Sequence, residues 1–231
     1  MKHVFVILFL LSSVIKIADA QEYIYKHGMA TLSMGVAIPA YELGSASGID
    51  VSSYATVGTN INAEIAYFYS WHAGVAFLFN YSVNPVDNVR LAQGYLDSSP
   101  AFKTVSAESE SFRGISGLVG MVFDIPVNKY FSFTFKMLGG LYNVYKPAAL
   151  INSTTVFSTV NYYESSTNET VFAIYGSGGV RGVVNEHFNI HLNASYIGST
   201  FNFTYKRNSS EINQEAHIGV LSITGGVSYL F

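Results

Sequence analysis

The 231-residue sequence has no cysteine, one tryptophan and five prolines, and only 12% of its residues are charged. Without cysteine, neither a disulfide framework nor a thiolate metal centre can staple the chain. Small exported domains usually need such staples, so this chain needs another scaffold. A closed backbone ladder would serve. There is no basic tract, and Asp and Glu outnumber Lys and Arg by 15 to 12, which argues against nucleic acid as a partner. Past Ile17 no apolar run approaches the ~18 residues of a spanning helix. Yet 49% of the chain is hydrophobic. Such a chain either buries a large core or turns alternate side chains to lipid, as a β-barrel does.

The N-terminus reads as a secretory leader. Met1-Lys2-His3 is a short positive stretch, Val4–Ile15 an apolar one, and Ala18-Asp19-Ala20 fits a cleavage site. Residues 1–20 are therefore expected to be a signal peptide and 21–231 the mature domain. An uncleaved anchor is the alternative. Losing Lys2, Lys16 and Asp19 leaves ten basic against fourteen acidic residues, a mature charge near −4.

The remainder resolves into eight alternating segments, approximately 28–38, 56–69, 72–83, 112–125, 130–145, 169–184, 187–205 and 215–231. All are rich in β-branched and aromatic residues. In the fifth, Phe131, Phe133, Phe135, Met137 and Leu141 share one face, and Ser132, Thr134, Lys136 and Gly140 the other. The eighth opposes Leu221, Ile223, Val227, Tyr229 and Phe231 to Ser222, Thr224, Gly226 and Ser228. The seventh slips phase: Phe188, Ile190, Leu192 and Tyr196 are even, but Phe201, Phe203 and Tyr205 are odd. A β-bulge at Gly198 is expected there.

Connections alternate. Residues 69–71, 125–129 and 185–187 are tight turns. Residues 39–55, 84–111, 146–168 and 206–214 read as long polar loops. Eight strands with both ends on the short-turn side give an all-β, eight-stranded, antiparallel up-and-down transmembrane barrel, apolar face outward. Two aromatic girdles are expected. One holds Tyr67, Tyr69, Trp71, Tyr130, Phe131, Phe188, Tyr229 and Phe231 at the turn side. The other holds Tyr81, Tyr142, Tyr145, Phe201, Phe203 and Tyr205 at the loop side.

The run Val227-Ser228-Tyr229-Leu230-Phe231 resembles the C-terminal signal of bacterial outer-membrane proteins. With the leader and the strand count, residues 21–231 are similar to the small outer-membrane barrels of the OmpA, OmpX and OmpW-like set. The stretch Asp124-Ile125-Pro126-Val127-Asn128-Lys129-Tyr130-Phe131-Ser132 looks like Bacteroidota members. The resemblance implies export to the cell outer membrane of a Gram-negative cell. It also implies contact with outer-membrane lipid, and recognition of Val227, Tyr229 and Phe231 by the barrel-assembly machinery. It names a fold better than a function.

Four charged residues fall on inward parity: Glu64, Asp124, Lys136 and Arg181. Lone buried charges are costly, so they are expected to form an interior network, Glu64 pairing with Arg181 or Lys136; a polar path or ligand site is the alternative. His191, Asn193 and Ser195 share a face, but a lipid A deacylase needs a His-x-Ser pattern, and Asn193 stands where the Ser would be. His27, His72 and His187 lie near the turns, and His217 has outward parity at the loop rim. The histidine spacing supports a metal site only weakly. No cofactor is expected. Six Asn-x-Ser/Thr sequons, at Asn80, Asn152, Asn168, Asn193, Asn202 and Asn208, are ascribed to an Asn-, Ser- and Thr-rich chain.

The expected role is a non-enzymatic outer-membrane protein, structural or surface-binding, with the long loops available to an extracellular ligand. The alternatives are a small porin-like channel or conduit for small or apolar solutes, a lipid-modifying enzyme, and an accessory barrel of a secretion system.

Overall fold

The computed structural model describes residues 27–44, 54–155, 158–208 and 210–231; the expected signal peptide lies outside them. The elements, in chain order, are β1 (Gly28–Tyr41), β2 (Gly58–Phe68), β3 (Ala73–Asn84), α1 (Asn88–Ser98), β4 (Phe102–Ser109), β5 (Phe112–Pro126), β6 (Phe131–Lys146), β7 (Ala149–Thr155), β8 (Thr159–Glu164), β9 (Thr167–Val183), β10 (Phe188–Arg207) and β11 (Ser210–Leu230). Eight of the strands close a ring, β11–β1–β2–β3–β5–β6–β9–β10 and back to β11, every pair antiparallel. At the turn side the ring is tied by Gly28 and Phe231, which exchange backbone hydrogen bonds of 2.8 and 2.9 Å.

The pleat decides what faces lipid. Along β6, Phe133 and Met137 are 47% and 70% exposed, while Thr134 and Lys136 are 5% and 6% exposed. The same division runs along β11, with Leu221, Ile223, Val227 and Tyr229 outside and Ser222, Thr224 and Ser228 inside. A surface this apolar around a polar interior inverts the arrangement of a water-soluble barrel, and is that of a barrel bathed in hydrocarbon. No described helix is long and apolar enough to cross a membrane.

The tight turns are built by a repeated device. Asn128 Oδ1 accepts from the backbone N–H of Tyr130 and Phe131 at 2.8 and 2.9 Å, and Asn185 Oδ1 from those of His187 and Phe188 at 2.9 and 2.8 Å. In each turn the Asn side chain stands in for a backbone acceptor.

Three expectations are corrected at the other rim. First, 84–111 and 146–168 are not plain loops. They carry α1, β4, β7 and β8, and the added strands continue the barrel wall. The register Arg113↔Tyr145 of β5 and β6 runs in step into Ser109↔Ala149 of β4 and β7. Likewise Lys146↔Thr167 runs in step into Ala149↔Glu164. The wall thus rises out of the membrane as a three-stranded wing. Second, 206–214 is no long loop: β10 and β11 stay paired up to Arg207↔Ser210, and Asn208 takes a positive φ of 52° in the turn.

Third, there is no bulge at Gly198. Its register with β11 is unbroken through that residue, and the ladder with β9 runs in register up to it. Odd residues of β10 point inward throughout, and what changes is their chemistry. Asn189, His191, Asn193 and Ser195 line the membrane level; Ile197, Phe201, Phe203 and Tyr205 line the level above. Phe201, Phe203, Tyr205 and Tyr142 therefore do not belong to the loop-side girdle. They are buried inside the wall, where the wing supplies an apolar core. All eight turn-side girdle residues are exposed.

Candidate functional site

The lumen holds the four inward charges as two pairs. Lys136 Nζ on β6 donates to Glu64 Oε2 on β2 at 2.5 Å, spanning the tube. Arg181 on β9 pairs with Asp124 on β5 and donates through Nε to Ser132 Oγ at 3.1 Å. Of the two partners open to Glu64, the structure places Lys136 beside it and gives Arg181 to Asp124. Around the pairs, Thr31 donates to Ser228 at 2.9 Å, Ser228 Oγ meets His191 Nδ1 at 3.2 Å, and Thr134 donates to Asn193 at 3.3 Å. A cavity of about 10 Å³ lies among Met29, Thr31, Lys136, Arg181, His191 and Ser228, about enough for one water. At this level the lumen is a packed polar core.

Above it stands a second core. Tyr142 meets Phe201 edge-on at 5.6 Å, and Phe201 stacks on Phe203 at 5.5 Å. Gly114 makes room for this: a Cβ there would lie 2.6 Å from the Tyr142 hydroxyl. Lys146, fully buried, sits 3.6 Å over the Tyr205 ring and 3.4 Å from Gln214 Oε1. Glu164, also fully buried, accepts from Arg207 Nη2 at 2.5 Å and Nε at 2.9 Å, and from the Tyr95 hydroxyl at 3.1 Å. Burial is the largest influence on Arg207 and disfavours its charge, but Glu164, Tyr95 and Tyr205 together outweigh it and raise the guanidinium pKa.

Helix α1 belongs to this cap. Asp87 caps its N-terminus, accepting from Arg90 N at 3.0 Å, and Leu91 and Tyr95 face the buried side. Beside the helix runs an open groove of about 350 Å³ between α1 and β4, lined by Val89, Ala92, Leu96, Val105 and Ala107 with Asn88, Gln93 and Ser106. Its size lies within the range of small-ligand pockets.

Sequence reasoning missed Tyr95, Lys146, Glu164 and Arg207, because it placed all four in long polar loops. The signal existed: Tyr142, Val144 and Lys146 keep the inward parity of Lys136. The structure leaves His191, Asn193 and Ser195 buried in the lumen, with His191 beside Ser228. Two of the sequon asparagines, Asn80 and Asn193, are buried there too. Val227, Tyr229 and Phe231 face outward, and Tyr229 packs against the rings of His187, Phe188 and Phe231. Among the described residues no three His, Asp or Glu side chains converge as metal ligands.

By fold, the chain is an outer-membrane-type β-barrel. It is similar to the Ail protein of Yersinia pestis, 16% identical over 89% of this chain and 99% of that one, with a TM-score of 0.43. It is similar to the outer membrane protease OmpT of Escherichia coli, 8% identical over 92% and 99%, TM-score 0.47. A third is a major outer membrane protein of Thermus thermophilus, 9% identical over 90% and 100%, TM-score 0.45. No family model and no curated protein matches the chain. Likeness at this level transfers no role; the closed ring and its outward apolar face carry the fold.

Proposed function

We propose that the protein is a non-enzymatic binding platform of the bacterial outer membrane, a sealed barrel that holds a folded cap at the cell surface. The observation that carries this reading is that the register of β5, β6 and β9 carries over in step into β4, β7 and β8, with an irregularity only at the far end, between Phe102 and Thr104. Flexible loops would not keep step with the wall. A wing continuous with the barrel presents the α1–β4 groove on a rigid support, as recognition surfaces are commonly held. Two filled levels of lumen favour a scaffold over a pore. The test is to replace residues 88–109, which hold α1 and β4, by a short Gly-Ser linker and compare surface binding of whole cells with the intact protein. Equal adhesion to host-cell or matrix surfaces by both would remove the reading.

A second reading, a conduit for apolar solutes, has one observation in its favour. The ladder between β9 and β10 stops at Gly198↔Ile174, and β10 rejoins that side of the wall only through β8 at Arg207↔Glu164. Between these points Ser199 Oγ bonds to Phe172 O at 2.6 Å. Over this seam β9 and β10 share no ladder, and Phe201 and Phe203 stand on β10 beside it. Uptake of a labelled alkane into vesicles carrying the protein would distinguish conduit from platform.

A further inference from the structure

The aromatic belt at the turn side ends in a ring of titratable and cationic side chains, one at each station of the rim. At the β1–β11 junction His27 stacks on Tyr67 at 5.7 Å. At the β2–β3 turn stands His72, and at the β5–β6 turn Lys129 lies 4.9 Å over Tyr130. At the β9–β10 turn His187 stacks on Tyr229 at 5.9 Å. All four are exposed, and among the described turn residues only Glu186 opposes them. We propose that this rim is a binding collar for the phosphate of anionic phospholipid headgroups, engaged when its histidines carry charge.

Position and chemistry argue together. The lipid-facing surface runs without a break into the belt of Tyr67, Trp71, Tyr130 and Tyr229, which places these rings at the headgroup level. Cations just beyond that belt meet phosphates. The tautomers are also set. His27 Nδ1 is 3.0 Å from Phe68 O, and His72 Nδ1 is 3.1 Å from Asp124 O. A carbonyl oxygen only accepts, so each Nδ1 carries the proton. For His72 a headgroup oxygen is then reached through Nε2, which donates only in the imidazolium. Imidazole is the side chain that gains charge between about pH 8 and 5.

His72 feels the Asp124 carboxylate, itself paired with Arg181, with Lys136 farther along the lumen. His187 has Glu186 as its chain neighbour and Tyr229 beneath its ring. His27 has Tyr67 beneath it and Phe68 beside it. The collar thus sets three imidazoles beside one fixed cation, Lys129, with Glu186 as the acidic group among the described turn residues.

The experiment uses the protein refolded into nanodiscs of equal phosphatidylglycerol and phosphatidylcholine, with the lipids retained on the ejected protein counted by native mass spectrometry. Each cation at a membrane surface strengthens anionic-lipid binding by a factor of about five. The retained lipid is therefore expected to favour phosphatidylglycerol by at least about threefold near pH 5.5, and by much less near pH 8. The His72→Gln/His187→Gln variant should lose most of the acid-dependent part, and Lys129→Gln should lower enrichment at both pH values. Heat-modifiable migration on gels checks that each variant is folded. Absence of enrichment near pH 5.5, or equal enrichment in the double histidine variant, overturns the proposal. Displacement of the lipid by millimolar inorganic phosphate would overturn the lipid assignment in favour of a soluble anion. A protein that never enters the nanodisc would instead indict the membrane reading itself.

Discussion

Lys136 on β6 reaches across the lumen to Glu64 on β2, with Nζ 2.5 Å from Oε2, although two strands stand between them in the wall. The pair is a cross-brace. Both side chains are almost fully buried, so neither charge has water to fall back on. Removing one partner leaves the other desolvated and alone, at a cost of roughly 3–5 kcal/mol. Lys136→Met should lower the stability of the refolded barrel by about that much, read from guanidinium unfolding in lipid vesicles. The double variant Glu64→Leu/Lys136→Met should recover most of the loss, because no orphaned charge remains. A double variant no more stable than the single would mean that the brace acts through something other than charge pairing.

The outward face makes a depth-dependent prediction. Phe135 lies mid-strand on the lipid face and Phe188 lies at the turn rim, and both are about half exposed. An arginine at Phe135 should destabilise by roughly 2–4 kcal/mol, and one at Phe188 by roughly 0–1 kcal/mol. The comparison needs only unfolding midpoints in lipid. Equal penalties would mean that the strand does not cross the membrane at the level assigned to it.

The eight wall strands were legible because period-2 spacing and tight-turn residues agree locally. Phe131 to Leu141 announces both a strand and its facing. The four lumen charges were legible for the same reason, since parity placed Glu64, Asp124, Lys136 and Arg181 on one side. Which carboxylate meets which cation was not, because cross-lumen distance depends on barrel shear rather than on sequence spacing. The wing was missed because its composition is polar. Asn152, Ser153, Thr154 and Thr155 end β7, and such runs read as loop unless paired. The slip read into Gly198 has the same root. Hydrophobic parity was taken as orientation, whereas above the membrane the inside becomes apolar and the signal inverts with no change of backbone.

The cap should unfold separately from the barrel. Its polar tie is Glu164, gripped by Arg207 and Tyr95 from two other elements. Tyr95→Phe removes one hydrogen bond to a charged group and should cost about 1.5–3 kcal/mol. Leu91→Ala, at a fully buried site on α1, should cost about 2–5 kcal/mol. Both losses should appear as faster protease cleavage within 88–109, with heat-modifiable migration of the barrel unchanged. Loss of barrel migration in either variant would show that cap and wall are one cooperative unit.

The β9–β10 seam predicts a pattern of hydrogen exchange. From Asn189 to Gly198, β10 is paired on both sides, to β9 and to β11. From Ser199 to Lys206 its ladder is with β11 alone; on the other side the Lys206 N–H bonds to Ser165 Oγ at 3.0 Å, the Lys206 carbonyl accepts from Ser165 N at 2.9 Å, and the Ser199 hydroxyl bonds to Phe172 O at 2.6 Å. Successive amides along a strand point to opposite neighbours, so in the upper part alternate N–H groups lack a ladder partner. Native-state exchange should therefore be uniformly slow over the lower ten residues. Over the upper stretch it should alternate, with every second amide exchanging through local opening rather than global unfolding. The contrast does not depend on overall stability, because both stretches share one strand and one β11 partner. Uniform protection from Asn189 to Lys206 would close the seam, and with it the structural basis for any lateral route through this wall.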